Sequence, residues 1–404
     1  MKLKLLKERE KFSDIFSATL SNYLQKKFSW SGSVKWGSHG GSNDLNFLVN
    51  PDLNLIYPVH LQKNELISLA AEYSFHTNFL KRFAQKTYIN LALHPLLRYF
   101  FSPEKLHLTN ISAINTNFCI LPGNHTIRII STDKRECVVI KKEGFSDVKL
   151  KNAVQIRMDN NDLPGPKILS FNVNDSWYVE ERIYGLPINR SSNKLDIDKA
   201  LGATKKFLKR MYEASSRSVN AKDYIKQKFK EIDSAISSLP SCYKKEDKIL
   251  ISNIRLQLFS LVASKIDKET FLKSSQTHGD LQDANILIPL IDDSRDTYII
   301  DWEYASVRCQ HYDWFVYGLK SRSPKGLAVR IKELISASVQ TKEEIQWYNF
   351  KNLSAEVINV LVLLFLIEDF LFRLDDTNIP NLPKKSDVLL TFLQELNTFM
   401  KACH

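Results

Sequence analysis

Apolar positions recur three and four residues apart through Phe12 to Phe28, Glu65 to Lys86, Ile197 to Ala214, Tyr224 to Ile236 and Ser252 to Ile266, the period that lays one stripe along a helix. Leu327 to Val339 and Leu353 to Phe372 continue that pattern. Between the second and third of these helices the period shortens. Asn117 to Leu121, Thr126 to Ser131 and Glu136 to Lys142 are short runs rich in β-branched residues, separated by the polar turns Pro122-Gly123-Asn124-His125 and Thr132-Asp133-Lys134-Arg135. They predict antiparallel strands. A second hairpin is predicted from Ile286 to Ile288 and Thr297 to Ile300, around a polar turn at Asp292, Asp293, Ser294 and Arg295. The polar segment Trp36 to Asp44 reads as a turn between strands.

The chain thus falls into three blocks: residues 1–112, of unassigned role; 113–187, a small sheet-rich lobe; and 188–404, helix-rich with the second hairpin embedded in it. The expected fold class is α+β, a small antiparallel-sheet lobe followed by a helical lobe, with an additional N-terminal α/β segment.

Composition changes this picture little. With 44% hydrophobic and 25% charged residues among 404, the chain has an ordinary globular make-up. The greasiest run, Val360 to Ile367, is too short to cross a bilayer and predicts a buried C-terminal helix. No transmembrane segment is expected. Met1 to Lys11 is charged and lacks the apolar centre of a secretory signal. Five scattered cysteines, Cys119, Cys137, Cys242, Cys309 and Cys403, show no paired spacing, which argues against a disulfide framework or zinc site and for a reducing, cytoplasmic setting. A net charge of +11 permits an anionic partner, including an anionic or lipid-linked acceptor. It equally describes a solvated basic surface spread over lysines such as Lys205, Lys206, Lys209, Lys244 and Lys245. Nucleic-acid binding is not expected.

The chemistry concentrates in one stretch. His278-Gly279-Asp280 is followed by Asn285, and the strand Thr297 to Ile300 ends at Asp301. Magnesium on a nucleotide takes hard oxygen ligands and keeps several waters, so one carboxylate and one amide oxygen suffice beside the phosphates. Asp301 and Asn285 fit those roles, and the predicted hairpin puts them at its two open ends. Asp280, in the preceding loop, is placed to orient a substrate hydroxyl and accept its proton. His278 is expected to pack beneath the loop.

The segment His278 to Gly318 resembles the catalytic core of the aminoglycoside phosphotransferase and choline kinase superfamily, small-molecule relatives of protein kinases. The string Ile300-Asp301-Trp302-Glu303-Tyr304-Ala305 is similar to the choline and thiamine kinase branches. The resemblance implies a protein-kinase-like two-lobed fold, ATP and Mg2+ as nucleotide and metal, Asp280 as catalytic base, and Asn285 and Asp301 as magnesium ligands. Asp313 would brace the catalytic loop.

On that plan, the lysine that grips the α and β phosphates closes the third strand of the small lobe. Lys141 is the choice, with Lys142 as the fallback. The plan also sets a Glu on the following helix, yet Val148 to Met158 carries no acid. Glu143 and Asp147 are the alternative partners. Gly123 marks a turn able to lie over phosphates, and Glu180, Glu181 and Arg182 look like the hinge whose backbone would meet adenine.

Glu303 and Tyr304, with Trp314, Tyr317, Glu368 and Asp369, are candidates for holding a cationic acceptor, although aromatics so spaced are more often core. The expected activity is γ-phosphoryl transfer from ATP to a hydroxyl of a small-molecule acceptor such as an amino alcohol or sugar. The alternatives are a nucleotide-binding pseudokinase and a protein kinase; against the latter, no activation-type segment follows Asp301. The sequence leaves the oligomeric state open.

Overall fold

The computed structural model describes residues 3–37, 41, 44–70, 75–76, 78–110, 116–160, 162–266, 270–290, 295–337, 353–379 and 382–403. It divides into two compact units, one of residues 1–204 and 286–303, the other of 205–285 and 304–404.

The first unit is built on a nine-stranded antiparallel sheet. Its strands are β1 (Val34–Trp36), β2 (Leu45–Asn50), β3 (Leu55–Pro58), β4 (Glu104–Leu108), β5 (Phe118–Pro122), β6 (Thr126–Ser131), β7 (Glu136–Lys141), β8 (Ile168–Asn172) and β9 (Trp177–Glu181), in the order β1-β4-β2-β3-β5-β6-β7-β9-β8. The sheet is larger than expected because strands of the first block join those of the second, Ile56 of β3 pairing with Ile120 of β5. Side chains alternate across such a sheet, and here both faces are covered. Phe47, Ile120 and Ile129 lie in one cluster with Phe16, Leu20 and Leu24 of α2 (Phe12–Phe28), which follows α1 (Leu3–Arg9). On the other face Leu48, Tyr57 and Cys119 meet α3 (Lys63–Ala70) and α4 (Phe79–Ala92), while Val139 and Tyr178 meet α6 (Val148–Asp159).

The single helix expected over Glu65 to Lys86 is two. Asn78 starts the second by accepting the amide of Lys81 on its side chain, a capping bond that favours a break there. Residues 71–74 and 77 lie outside the described residues, as does most of the turn expected within Trp36 to Asp44. One helical turn, α5 (Arg98–Phe101), precedes β4. The buried pair Lys142 to Glu10 (2.5 Å) ties the residue after β7 to the chain ahead of α2. Burial pulls the Lys142 ammonium's pKa down, against the opposing pull of Glu10. A small sheet, β10 (Gly185–Pro187), β13 (Ile286–Pro289) and β14 (Tyr298–Ile299), completes the unit. It contains the second predicted hairpin, with Ile286 opposite Ile299. Residues 291–294 of its turn lie outside the described residues.

The chain first passes from one unit to the other within helix α7 (Lys194–Ser215). The second unit holds a three-stranded sheet, β11 (Arg217–Asn220), β12 (Phe271–Thr277) and β15 (Ser306–Cys309), with β12 central. The remainder is helical: α8 (Ala221–Ser237), α9 (Lys245–Ala263), α10 (Tyr312–Gly318), α11 (Leu327–Ala337), α12 (Ala355–Thr377) and α13 (Asp387–Ala402). Helix α12 is buried on every side from Leu361 to Phe370; its apolar run Leu361 to Ile367 requires that, and the carboxylates of Glu368 and Asp369 are buried with it. Helix α13 has no counterpart among the expected elements, although Leu389, Leu393 and Leu396 keep helical spacing. No described helix is long and apolar enough to cross a membrane. The architecture is α+β.

Candidate active-site residues

In the second unit, β12 runs into the loop that carries His278, Gly279 and Asp280. Gly279 adopts φ +84°, and a Cβ there would lie 2.2 Å from the Tyr304 carbonyl oxygen, so only glycine fits. Asp313, at the start of α10 and fully buried, braces the loop. Its Oδ2 accepts the His278 amide and the Tyr212 hydroxyl, and its Oδ1 accepts the Gly279 amide, each at 2.8 Å. His278 is also buried, and its Nδ1 accepts the Asp280 amide at 3.2 Å.

Asp280 is 8% exposed. Its Oδ1 accepts Arg322 Nε at 2.5 Å and Gln282 Nε2 at 3.0 Å, while its Oδ2 accepts Gln282 Nε2 at 2.9 Å and Asn285 Nδ2 at 3.3 Å. Asn285 Nδ2 also donates to the Asp280 main-chain oxygen at 2.8 Å. With the amide nitrogen turned to Asp280, the Asn285 side-chain oxygen is the atom suited to a metal.

Arg322 is the main residue that sequence reasoning missed. Its Nη1 donates to Asp369 Oδ1 and its Nη2 to the Gly279 carbonyl, both at 2.5 Å, and the guanidinium lies 3.5 Å from the centre of the Phe372 ring. Burial opposes its charge, but Tyr312, Asp369 and Asp280 outweigh burial and raise its pKa. The carboxylate of Asp280 is therefore held by a permanent cation and cannot rotate freely. No pattern marks Arg322, which follows α10 beyond the left-handed Lys320 (φ +46°).

The acceptor candidates in this unit are engaged by other side chains of the unit. Trp314 is buried edge-on to Tyr212, and Asp369 also takes Arg373 Nε at 3.0 Å. Tyr304 donates to Asp376 at 2.6 Å, with its ring 4.6 Å from Phe372. Tyr317 is half-buried and hydrogen-bonds Asp283. Glu368 accepts the Tyr224 hydroxyl and, at 2.8 Å, the Cys309 amide.

Burial pushes the Glu368 carboxyl up to about 7. A carboxyl raised in the folded state favours folding at low pH, and that contribution fades as pH rises from the unfolded value through about 7. It amounts to about 3 kcal/mol. Glu368→Gln is expected to flatten the fall in stability between pH 5 and 8 seen in parallel urea titrations. Identical slopes in both proteins would exclude this origin.

In the first unit, a cavity of about 220 Å³ is lined by Arg128, Val139, Arg157, Tyr178 and Asp301, among others. Asp301 follows β14 in the left-handed region (φ +70°), a conformation rare outside glycine but tolerated by Asp and concentrated at functional positions. Its Oδ1 accepts Arg128 Nη2 at 2.8 Å. Burial opposes the charge on Arg128, while Asp301 and Glu180 outweigh burial and raise its pKa. The signal for Arg128 was present in the sequence: an arginine between Ile127 and Ile129 must face opposite to them.

The predicted hinge residues Glu180, Glu181 and Arg182 line the same cavity, as does Glu303. Glu180 turns its carboxylate to Arg157 on α6, with Nη1 to Oε2 at 2.5 Å. The Glu181 and Arg182 amides are already donated to the carbonyls of Lys167 (2.9 Å) and Arg135 (3.0 Å).

Lys141 and Gly123 lie outside this lining. Lys141 Nζ donates to the Phe145 carbonyl at 3.0 Å and to Asp147 Oδ1 at 3.0 Å, so its ion-pair partner is the residue ahead of α6. The hydrogen bond from Lys141 holds the Asp147 carboxyl below the usual range. Lys142, paired with Glu10, has no exposed surface. The Gly123 amide closes its turn onto the Thr126 carbonyl at 2.9 Å.

No cluster of three or more His, Cys, Asp or Glu side chains is arranged for a metal among the described residues. Asp301, in the first unit, and Asn285, in the second, each carry a hard oxygen donor of the kind magnesium takes.

No protein-family model matches the chain, and no curated protein matches its sequence. Among solved structures it is similar to the choline kinase LicA from Streptococcus pneumoniae (16% identity, TM-score 0.45, covering 70% of this chain and 94% of that one). It is also similar to a choline/ethanolamine kinase family protein from Mesorhizobium loti (14%, 0.41, 79% and 94%) and to the aminoglycoside phosphotransferase APH(4)-Ia (11%, 0.42, 72% and 94%).

Proposed function

We propose that the chain is a phosphotransferase of the aminoglycoside phosphotransferase and choline kinase superfamily, moving the γ-phosphoryl of ATP to a hydroxyl of a small molecule such as an amino alcohol or a sugar. The observation that carries this reading is the Asp280 carboxylate, held by Arg322, Gln282 and Asn285 on a loop whose backbone is anchored by Asp313. Asp280 aligns the acceptor hydroxyl and takes its proton, and fixing the carboxylate beforehand removes the cost of orienting it during reaction. Magnesium, held by the oxygens of Asp301 and Asn285, would offset the charge of the phosphates.

Asp301 and Arg128 compensate each other's charge, and in this reading Arg128 would pass to a phosphate oxygen when nucleotide binds. The hinge edge for adenine shifts to Ile183 and Tyr184, which line the cavity just past the two engaged amides. Lys141, steadied by Asp147, supports the phosphates.

The nucleotide half of this proposal is tested by titrating ATP with and without magnesium. Asp301→Asn is expected to lose at least about tenfold in affinity with magnesium present, about 1.4 kcal/mol, and little without it. Equal affinity in both proteins would remove Asp301 from the metal role. A second reading, a nucleotide-binding protein without turnover, is favoured by the Arg128 to Asp301 ion pair, which neutralises the very carboxylate a metal needs. Transfer to any hydroxylated metabolite excludes it.

A further inference from the structure

We infer that the outward face of α4 and of the turn after it docks on an anionic lipid surface. A helix on a soluble protein ordinarily turns charge to solvent and its apolar stripe inward. Helix α4 turns Ile89 and Ala92 inward, but its outer side is also apolar: Phe79, Leu80 and Phe83 are 67, 74 and 64% exposed. Phe79 and Phe83, four residues apart, share one face, and Leu91 falls on the same side as Leu80 three turns later. Leu96 in the turn after it and Phe100 on α5 are also apolar and 82 and 83% exposed. Large apolar residues grouped in this way mark an interaction surface, whereas single ones do not.

Charge decides what it meets. From residue 73 to 103 the sequence contains no Asp or Glu but carries Lys81, Arg82, Lys86 and Arg98. Arg82 lies 5.9 Å from the centre of the Phe79 ring and Arg98 5.6 Å from that of Tyr99, so cations flank the exposed aromatics. Aromatic and aliphatic side chains enter the acyl boundary while neighbouring cations meet lipid phosphate. A second copy docked face to face would instead set these cations against themselves. Being 14 residues long, the helix lies in the interface and does not span it. This inference does not depend on the phosphotransfer reading.

The test is co-sedimentation of the full chain with vesicles of phosphatidylcholine alone and of phosphatidylcholine mixed with phosphatidylserine. Binding is expected to the mixed vesicles, to weaken with salt, and to be lost by about tenfold or more in Phe83→Ser/Phe100→Ser. Lys81→Gln/Lys86→Gln, which leaves the apolar residues in place, is expected to lower binding by a similar factor only on the anionic vesicles. Circular dichroism melts confirm that both variants fold. Absence of binding by the parent chain overturns the inference. So does wild-type binding by both variants, or a dimer that depends on Phe83 and Phe100 without vesicle binding.

Discussion

Asp280→Asn is expected to lower kcat by about 10²- to 10⁴-fold while leaving ATP affinity within a few-fold of the parent protein. The amide keeps the size of the carboxylate and can still accept from Arg322, so the loop should survive. Arg322 also retains Asp369 as a counter-charge. On the proposed reading, the substitution removes the group that would accept the hydroxyl proton and direct the oxygen at phosphorus. Steady-state rates paired with calorimetric nucleotide binding separate the two effects. A variant that turns over normally would remove Asp280 from the chemistry, and one that loses ATP affinity in proportion to rate would make its role structural.

The largest expected effect on stability is at Asp313. Asp313→Ala removes a fully buried carboxylate and strands three donors, the His278 and Gly279 amides and the Tyr212 hydroxyl. Each buried donor left without an acceptor costs about 1–3 kcal/mol, so a loss of about 3–5 kcal/mol is expected, allowing for partial relaxation. Urea unfolding measures it. The same variant should lose activity even where folded, because the loop backbone that fixes Asp280 is no longer anchored. A cost below about 1 kcal/mol would mean that the loop is held by other contacts.

Much of the architecture was legible because it follows from period and from residues with one conformational use. The strands β5, β6 and β7 and the hairpin of β13 and β14 were marked by β-branched runs between polar turns. Helix α2 begins and ends where its apolar stripe does. What stayed hidden depends on tertiary pairing. Nothing local says that β3 will pair with β5, which merges the first block with the small lobe into one sheet. The partners of the chemistry were hidden for the same reason. Arg322 reaches Asp280 from an irregular turn 42 residues away, and Arg157 on α6 meets Glu180 23 residues on. Arg128 could have been found by alternation along β6. The segment read as a hinge lines the cavity of the first unit, but the Glu181 and Arg182 amides are engaged by the carbonyls of Lys167 and Arg135.

The central claim is that Asp280 directs phosphoryl transfer from ATP to a small-molecule hydroxyl. Its most direct test incubates the protein with γ-labelled ATP, magnesium and a panel of amino alcohols, thiamine, sugars and sugar-lipid precursors, with the Asp280→Asn protein in parallel. Label is predicted in at least one small-molecule product of the parent protein and absent from the variant, which still binds ATP. Label found only in polypeptide, or ATP bound by the parent protein with no transfer to any acceptor in the panel, would contradict the account.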